Sequence, residues 1–269
     1  MGLLSSFAEA TAVIAAVGVI ALIGRFLDRK GVLAAVIIGY IIYLFGGRLH
    51  FLLLLTFFIV GGSATRYRYR DKYGKMGRGI RSWANVVSNG LAAALILVAG
   101  YLLGAQQEEI FYTYLGSISA VFADTMSTEI GMLSKRPPRM ITSLRKASPG
   151  TPGAVSVQGL AAGFFTGPIL AAAATLYCFD GCGLYRLDIL AAVAVASGFS
   201  GSLFDSVFGA VFQARYRCVV CGRAVEVKQH CGTRTEYLGG NEYVSNDLVN
   251  LVTSFYGAFF GYSLSTYLS

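Results

Sequence analysis

The chain has 269 residues, 55% of them hydrophobic and only 13% charged, with a net charge of +8. A soluble domain of this size carries about a quarter charged residues, so the composition excludes an ordinary water-soluble enzyme and points to lipid as the solvent. The positive charge is gathered in a few loops between apolar runs, which argues against nucleic acid as its partner.

Apolar runs near the ~20 residues that a bilayer demands recur along the sequence. In chain order they predict eight transmembrane helices, at 7–24, 31–47, 49–64, 84–105, 110–132, 153–179, 187–212 and 244–268. The third is the shortest. No basic segment precedes the first, and further spans follow it, so it reads as a retained helix rather than a cleaved leader. The expected fold class is all-α and polytopic. Residues 1–269 form one integral-membrane domain with polar cytoplasmic loops, of which 213–243 is the one with a zinc-ligand pattern.

Every one of the 22 basic residues except Arg48 and Arg186 falls after the first, third, fifth or seventh run. The positive-inside rule puts those four loops in the cytoplasm and both termini outside. Seven basic residues crowd positions 66–81. Topology alone needs fewer, so two readings stand side by side: orientation, or an anion gripped by residues such as Lys72, Lys75 and Arg81.

Polar groups enter the apolar runs from the same side. Asp124 lies 11 residues before Lys135, on the order of 16 Å from the helix end. Asp205 stands 10 residues before Arg215, Asn89 lies 8 residues after Arg81 on the fourth run, and Asn246 and Asn250 open the eighth. A carboxylate at such depth costs roughly 2.5–3.5 kcal/mol and usually faces a cavity or a partner. One reading is a structural pair with a loop arginine or lysine. The other is a cation site. Thr125, Ser127, Thr128 and Ser206 stand beside Asp124, Glu129 and Asp205, and oxygen ligands of that kind suit Mg²⁺. Asp124 and Thr128 share a helix face, while Glu129 sits roughly 140° round. Small residues in "GSLFDSVFGA" are explained by close helix packing alone; the aspartate among them is not. "SAVFADT" (119–125) and "SGSLFDS" (200–206) resemble each other, through duplication or through chance among small residues.

"SPGTPGAVSVQGLAAG" (148–163) holds two Pro-Gly turn dipeptides, and Thr151, Gly153 and Ser156 lead into the sixth run. A helix start behind such a turn offers N–H groups and a positive dipole end to phosphate, with Arg145 and Lys146 just upstream. A plain loop before a membrane helix is the alternative. In the last basic loop, Cys218 and Cys221 with His230 and Cys231 make four candidate ligands for a structural zinc, against the reading of unliganded thiols. Cys178 and Cys182 fall on the outer side, where a disulfide is an option.

The stretches "GSATRYRYRDKYGK", "VVSNG", "ADTMSTEIG", "SPGTPGAVSVQG", "GFSGSLFDSVFGAVFQ" and "NDLVN", in this order, carry a resemblance over nearly the whole chain from about residue 30. The sequence resembles the integral-membrane phytyl-phosphate kinase family of plants, archaea and bacteria. That family is distantly similar to dolichol kinase, phytol kinase and CDP-diacylglycerol synthase. The resemblance implies transfer of a phosphate, with CTP and a divalent metal, to a prenyl monophosphate of phytyl or geranylgeranyl type. Ala154 stands where many relatives have a second glycine.

Three functions follow. The first is a prenyl-phosphate kinase. Asp124, Asp205 and Glu129 would hold Mg²⁺. Lys72, Lys75, Arg81, Arg145, Lys146, Thr151, Gly153 and Ser156 would grip the nucleotide, and Asn89, Ser202, Asn246 and Asn250 would orient the acceptor. The acceptor phosphate is already a nucleophile, so no histidine base is needed. The second is a cytidylyltransferase making a CDP-lipid. The third is a cation-coupled transporter, which explains buried carboxylates but not the basic loops.

Overall fold

The computed structural model describes residues 3–73, 79–177, 185–222, 224–225 and 227–269, with side chains from residue 7 onward. Its helices are α1 (Leu3–Ile23), α2 (Arg29–Arg66), α3 (Tyr69–Tyr73), α4 (Trp83–Leu103), α5 (Gln107–Gly131), α6 (Val157–Tyr177), α7 (Leu187–Phe212) and α8 (Asn246–Leu268). Side-chain caps set several starts. Asp28 accepts from the Gly31 N–H at 2.6 Å, Ser82 from the Asn85 N–H at 3.3 Å, and Ser245 from the Leu248 N–H at 3.3 Å.

α2 is two helices. Gly47, at φ +78° and ψ −171°, breaks the ladder, and a β-carbon on Gly39 would meet the Phe51 ring at 3.3 Å. Those residues would stand about 18 Å apart in a straight helix, so the chain turns back on itself. The expected runs 31–47 and 49–64 are the two arms of this hairpin.

α5 is the axis of the bundle. α8, α7, α6, α2 and α4 all pack on it, and every residue from Tyr114 to Ala123 is buried. Small residues make the approach possible. A β-carbon on Gly116 would overlap the Gly257 carbonyl of α8, and one on Gly201 of α7 would overlap Ala120. The small residues of α7 are thus packing devices, as their spacing implied.

The chain is a multi-pass, mainly helical membrane protein. Among the described residues, α2, α4, α6 and α7 are long and apolar enough to cross a bilayer by length and composition. That is four elements, with the two arms of α2 taken as one, so the expected count of eight spans is not supported. For α5 the reason lies in position. α5 is encased by other helices, so it need not be apolar all round and carries Ser117, Ser119, Asp124 and Glu129.

The loops are less helical than expected. β1 (Arg139–Met140) pairs with β2 (Ala154–Val155), so α6 begins four residues after the predicted start of its run. Residues 213–243 hold β3 (Arg215–Arg217), β4 (Ala224–Val225), β5 (Gln229–His230), β6 (Thr233–Arg234) and β7 (Glu236–Gly239), as a sheet in order β4-β3-β7 and a β5-β6 hairpin. Strands of two to four residues leave no hydropathy signal in a sequence scanned for spans.

Candidate functional site

The end of α5 defines the site. Where its fully buried stretch stops at Ala123, Asp124 comes into hydrogen-bonding reach of Asp205 on α7. Thr253 Oγ1 of α8 donates to Asp205 Oδ2 at 2.9 Å. Ser202, one turn before Asp205, donates to Ser127 Oγ at 2.9 Å. Three helices therefore meet at one acid pair, drawn together by the glycine contacts just described. Two carboxylates this close repel unless a proton or a cation lies between them. Asn250, on the Thr253 face of α8, is buried, and its Oδ1 has no hydrogen-bond partner among the described residues. An orphaned amide oxygen and two carboxylates fit a hard, oxygen-loving cation. Asn246, one turn earlier, is half-buried.

Glu129 stands apart from this pair. Its carboxylate is 2.5 Å from the Lys72 ammonium and also accepts from the Tyr73 hydroxyl at 3.3 Å. Lys72 donates further to the Ala64 and Thr65 carbonyls at 2.7 and 2.9 Å. An ammonium has three N–H groups, so the three bonds saturate it. The expectation that Lys72 reaches nucleotide from a water-facing loop is corrected: its side chain is fully buried and fully used. Glu129, expected as a third metal ligand, is committed to Lys72 and Tyr73. Arg81 donates from Nη2 to Thr65 Oγ1 at 3.1 Å and lies over the Phe57 ring. Burial pushes its guanidinium below its ordinary value, while Glu129 and Tyr73 act the other way.

A cleft that the sequence did not reveal runs between α1, the α2 hairpin and α4. Its walls are apolar, with Ile14, Val36, Phe51 and Phe58 among them, and it also reaches Arg81, Asn85 and Asn89. Asn89 Nδ2 donates to the Asn85 carbonyl at 2.7 Å and to Ser88 Oγ at 3.3 Å. The signal in the sequence was Gly18, Gly39 and Gly90, small residues on three facing elements of this cleft.

The Pro-Gly turn behaves differently from the expectation. The Thr151 N–H donates to Ser148 O at 3.2 Å, the Ala154 N–H to Thr151 O at 3.0 Å, and the Gly159 N–H to Ser156 Oγ at 3.1 Å. The Thr151 and Ala154 N–H groups are thus used within the turn, and Ser156 Oγ caps the first turn of α6. Gly153, at φ +78°, packs on α7, where a β-carbon would lie 2.7 Å from the Ser206 carbonyl and overlap Ala210. Arg145 and Lys146 stay exposed beside it. Lys75, Cys178 and Cys182 lie outside the described residues.

Cys218, Cys221, His230 and Cys231 do converge, their ligand atoms all within 4.8 Å of one another. The Cys221 N–H, the largest influence, holds the Cys218 thiol down to about 6, whereas burial pushes Cys231 up to about 11.

The far end of the bundle is of another character. Arg48 pairs with Glu9 at 2.7 Å and Arg186 with Asp188 at 2.7 Å, all outside the basic loops.

Fold and site together define a polytopic membrane protein with an interior acid pair beneath a basic face. The model of the family described as integral membrane protein DUF92 matches residues 12–258, and the chain belongs to that family. It is 34% identical to the uncharacterized membrane protein MJ0933 of Methanocaldococcus jannaschii, over 71% of this chain and 76% of that one. It is 30% identical to Protein PGR of Arabidopsis thaliana over 91% of each chain. With Protein VTE6, chloroplastic, of the same plant it shares 28% identity over 70% of this chain and 56% of the relative. No solved structure matches the chain.

Proposed function

We propose that this protein is a membrane-embedded kinase that transfers the terminal phosphate of CTP to a prenyl monophosphate, giving the prenyl diphosphate. The observation that carries this reading is the meeting of Asp124 and Asp205 inside the bundle, with Thr253 bonded to one of them and the Asn250 oxygen left over. The resemblance of the surrounding motifs to the phytyl-phosphate kinase family supports the substrate class.

Asp124 and Asp205 would hold Mg²⁺, which would supply charge neutralisation for the phosphates of the nucleotide. Phosphoryl transfer asks a protein mainly for positioning and charge neutralisation. The acceptor is an oxyanion, so no side chain has to remove a proton. The apolar cleft takes the prenyl chain, and Arg81, Asn85 and Asn89 take its phosphate. Arg145 and Lys146, exposed on the loop that packs over α7, meet the nucleotide as it arrives from water. The basic loops face the cytoplasm on this reading.

The test is direct. Purified protein is given Mg²⁺, CTP and geranylgeranyl phosphate, and the lipid product is weighed by mass spectrometry. A lipid that gains one phosphate and no cytidine supports the kinase. A CDP-lipid moves the protein to cytidylyl transfer. No product with any nucleotide, together with cation-driven uptake into vesicles, makes it a transporter.

A further inference from the structure

We infer that Cys218, Cys221, His230 and Cys231 bind one zinc ion, and that this ion clasps the neighbouring ends of α7 and α8 above the acid pair. The inference stands whatever reaction the protein catalyses.

The ligand geometry comes first. His230 Nδ1 lies 3.5 Å from Cys221 Sγ and 3.3 Å from Cys231 Sγ. Tetrahedral zinc, with Zn–S near 2.3 Å and Zn–N near 2.0–2.1 Å, sets sulfur and nitrogen about 3.6 Å apart. His230 Nδ1 thus stands close to that spacing from two of the sulfurs, and all four donor atoms lie within 4.8 Å of one another.

Local backbone explains how adjacent residues can both be ligands. In a continuous strand, His230 and Cys231 would point to opposite faces. Here β5 ends at His230, and Cys231 and Gly232 form a two-residue hairpin turn at φ +51° and +76°. Such turns favour Asn-Gly or Asp-Gly. Cysteine has no such preference for positive φ, so the position is held for its sulfur. Gly222, also at positive φ, closes the other pair by donating its N–H to the Cys218 carbonyl at 2.9 Å.

The module has little else to hold it. Apart from Gln213, Ala214, Tyr216 and Cys218, its described residues are exposed or half-buried, with Val219, Val220 and Val227 turned to solvent. Elements this short cannot bury enough apolar surface to fold alone, and a structural zinc commonly supplies what is missing.

Its place in the fold gives it a task. β3 leaves α7 three residues after Phe212, and β7 returns toward α8. Asn241 N–H donates to the Phe212 carbonyl at 2.9 Å, and Ala214 N–H to the Val244 carbonyl at 3.0 Å. Those bonds tie the exit of α7 to the entry of α8. Asp205 and Thr253 each lie seven residues inside those ends, about 10 Å along the helix axes. A clasp there fixes the spacing on which the Asp205–Thr253 bond depends.

The test uses the full chain in detergent, purified without chelator. Elemental analysis should find about one zinc per chain, absent from the Cys218→Ser, Cys221→Ser double variant. Cobalt in place of zinc should give the thiolate-to-cobalt absorption of a sulfur-rich tetrahedral site. Because the variant can fail to fold, the wild-type protein is also stripped with a membrane-impermeant chelator and followed by amide exchange. Exchange at Ala214 and Asn241 should rise at least ~10-fold, while the buried stretch of α5 stays protected, and zinc should restore it. Metal-free protein as purified, with Cys218, Cys221 and Cys231 all open to a thiol reagent, overturns the site. Zinc bound but with no change at Ala214 and Asn241 on its removal overturns the clasp.

Discussion

The Lys72 ammonium sits 2.5 Å from the Glu129 carboxylate with its side chain wholly buried, and its two remaining N–H groups go to the Ala64 and Thr65 carbonyls. This pair fastens α3 to the end of α5, one and a half turns beyond Asp124. A buried pair of this kind adds little net stability, but removing one partner strands a charge.

Glu129→Gln or Lys72→Met alone should therefore destabilise the protein by about 3–5 kcal/mol. The double change Lys72→Met, Glu129→Leu should recover most of that loss. Unfolding in detergent, followed by intrinsic fluorescence, measures both. A single variant as stable as the wild type would show that the pair is not desolvated as described.

Much of the fold could be read in the sequence, and the part that could not has a physical cause. Hydropathy located the apolar helices to within a few residues, because lipid-facing helices must be apolar. Its count of eight spans is not supported, and α5, read as one of the eight, is shielded by protein and is not apolar enough to cross a bilayer by composition. Asp124 and Asp205 were picked out for their depth, and the structure brings them together. Lys72 was misplaced because a basic residue in a loop reads as solvent-exposed, and only the folded chain shows α3 turning it inward onto Glu129. The cleft was invisible because residues of three separate elements line it.

The acid pair gives the sharpest prediction about chemistry. Asp124→Asn and Asp205→Asn should each abolish lipid phosphorylation while the protein still elutes as a folded species. Thr253→Val removes one neutral hydrogen bond to a carboxylate, worth roughly 1.5–3 kcal/mol. It should lower kcat by about 10- to 100-fold and raise the Mg²⁺ needed for half-maximal rate. Near-normal turnover of either aspartate variant at low Mg²⁺ would remove that residue from the site.

Gly153 tests packing separately from chemistry. Its positive φ and its contact with Ala210 and the Ser206 carbonyl leave no room for a methyl group. Gly153→Ala should destabilise by about 1–3 kcal/mol through overpacking. The remaining folded fraction should keep its KM for nucleotide, since the Thr151 and Ala154 N–H groups are already bonded within the turn. A rise in nucleotide KM with unchanged stability would restore the phosphate-cradle reading of this turn.

Sidedness can be tested on the loops themselves. Ser143, beside Arg145 and Lys146, and Ser269 at the chain's end are both exposed. Cysteine placed at 143 should be shielded from an impermeant thiol reagent in intact cells and react once the membrane is opened. Cysteine at 269 should react from outside. Labelling of 143 from outside would reverse the orientation and put the acid pair on the wrong side for a cytoplasmic nucleotide.

The two substrates should separate by residue. Arg81 lines the apolar cleft with Asn85 and Asn89 and is largely screened from water. Arg145 and Lys146 are exposed on the loop that packs over α7. A guanidinium in a poorly solvated site holds a phosphate more strongly than a charge at the water surface does, because the local dielectric is lower. Arg81→Ala should then raise the KM for the prenyl phosphate by roughly 10-fold or more, about 1.4 kcal/mol, and change that for nucleotide little. The pair Arg145→Ala, Lys146→Ala should do the reverse, with a smaller effect of about 2- to 5-fold that fades as salt is added, since exposed charges are screened within about 10 Å at 0.1 M salt. Steady-state kinetics with each substrate varied in turn, at low and high salt, distinguishes the two. If Arg81→Ala instead raises only the nucleotide KM, the cleft is not where the lipid phosphate sits, and Arg81 belongs to the nucleotide.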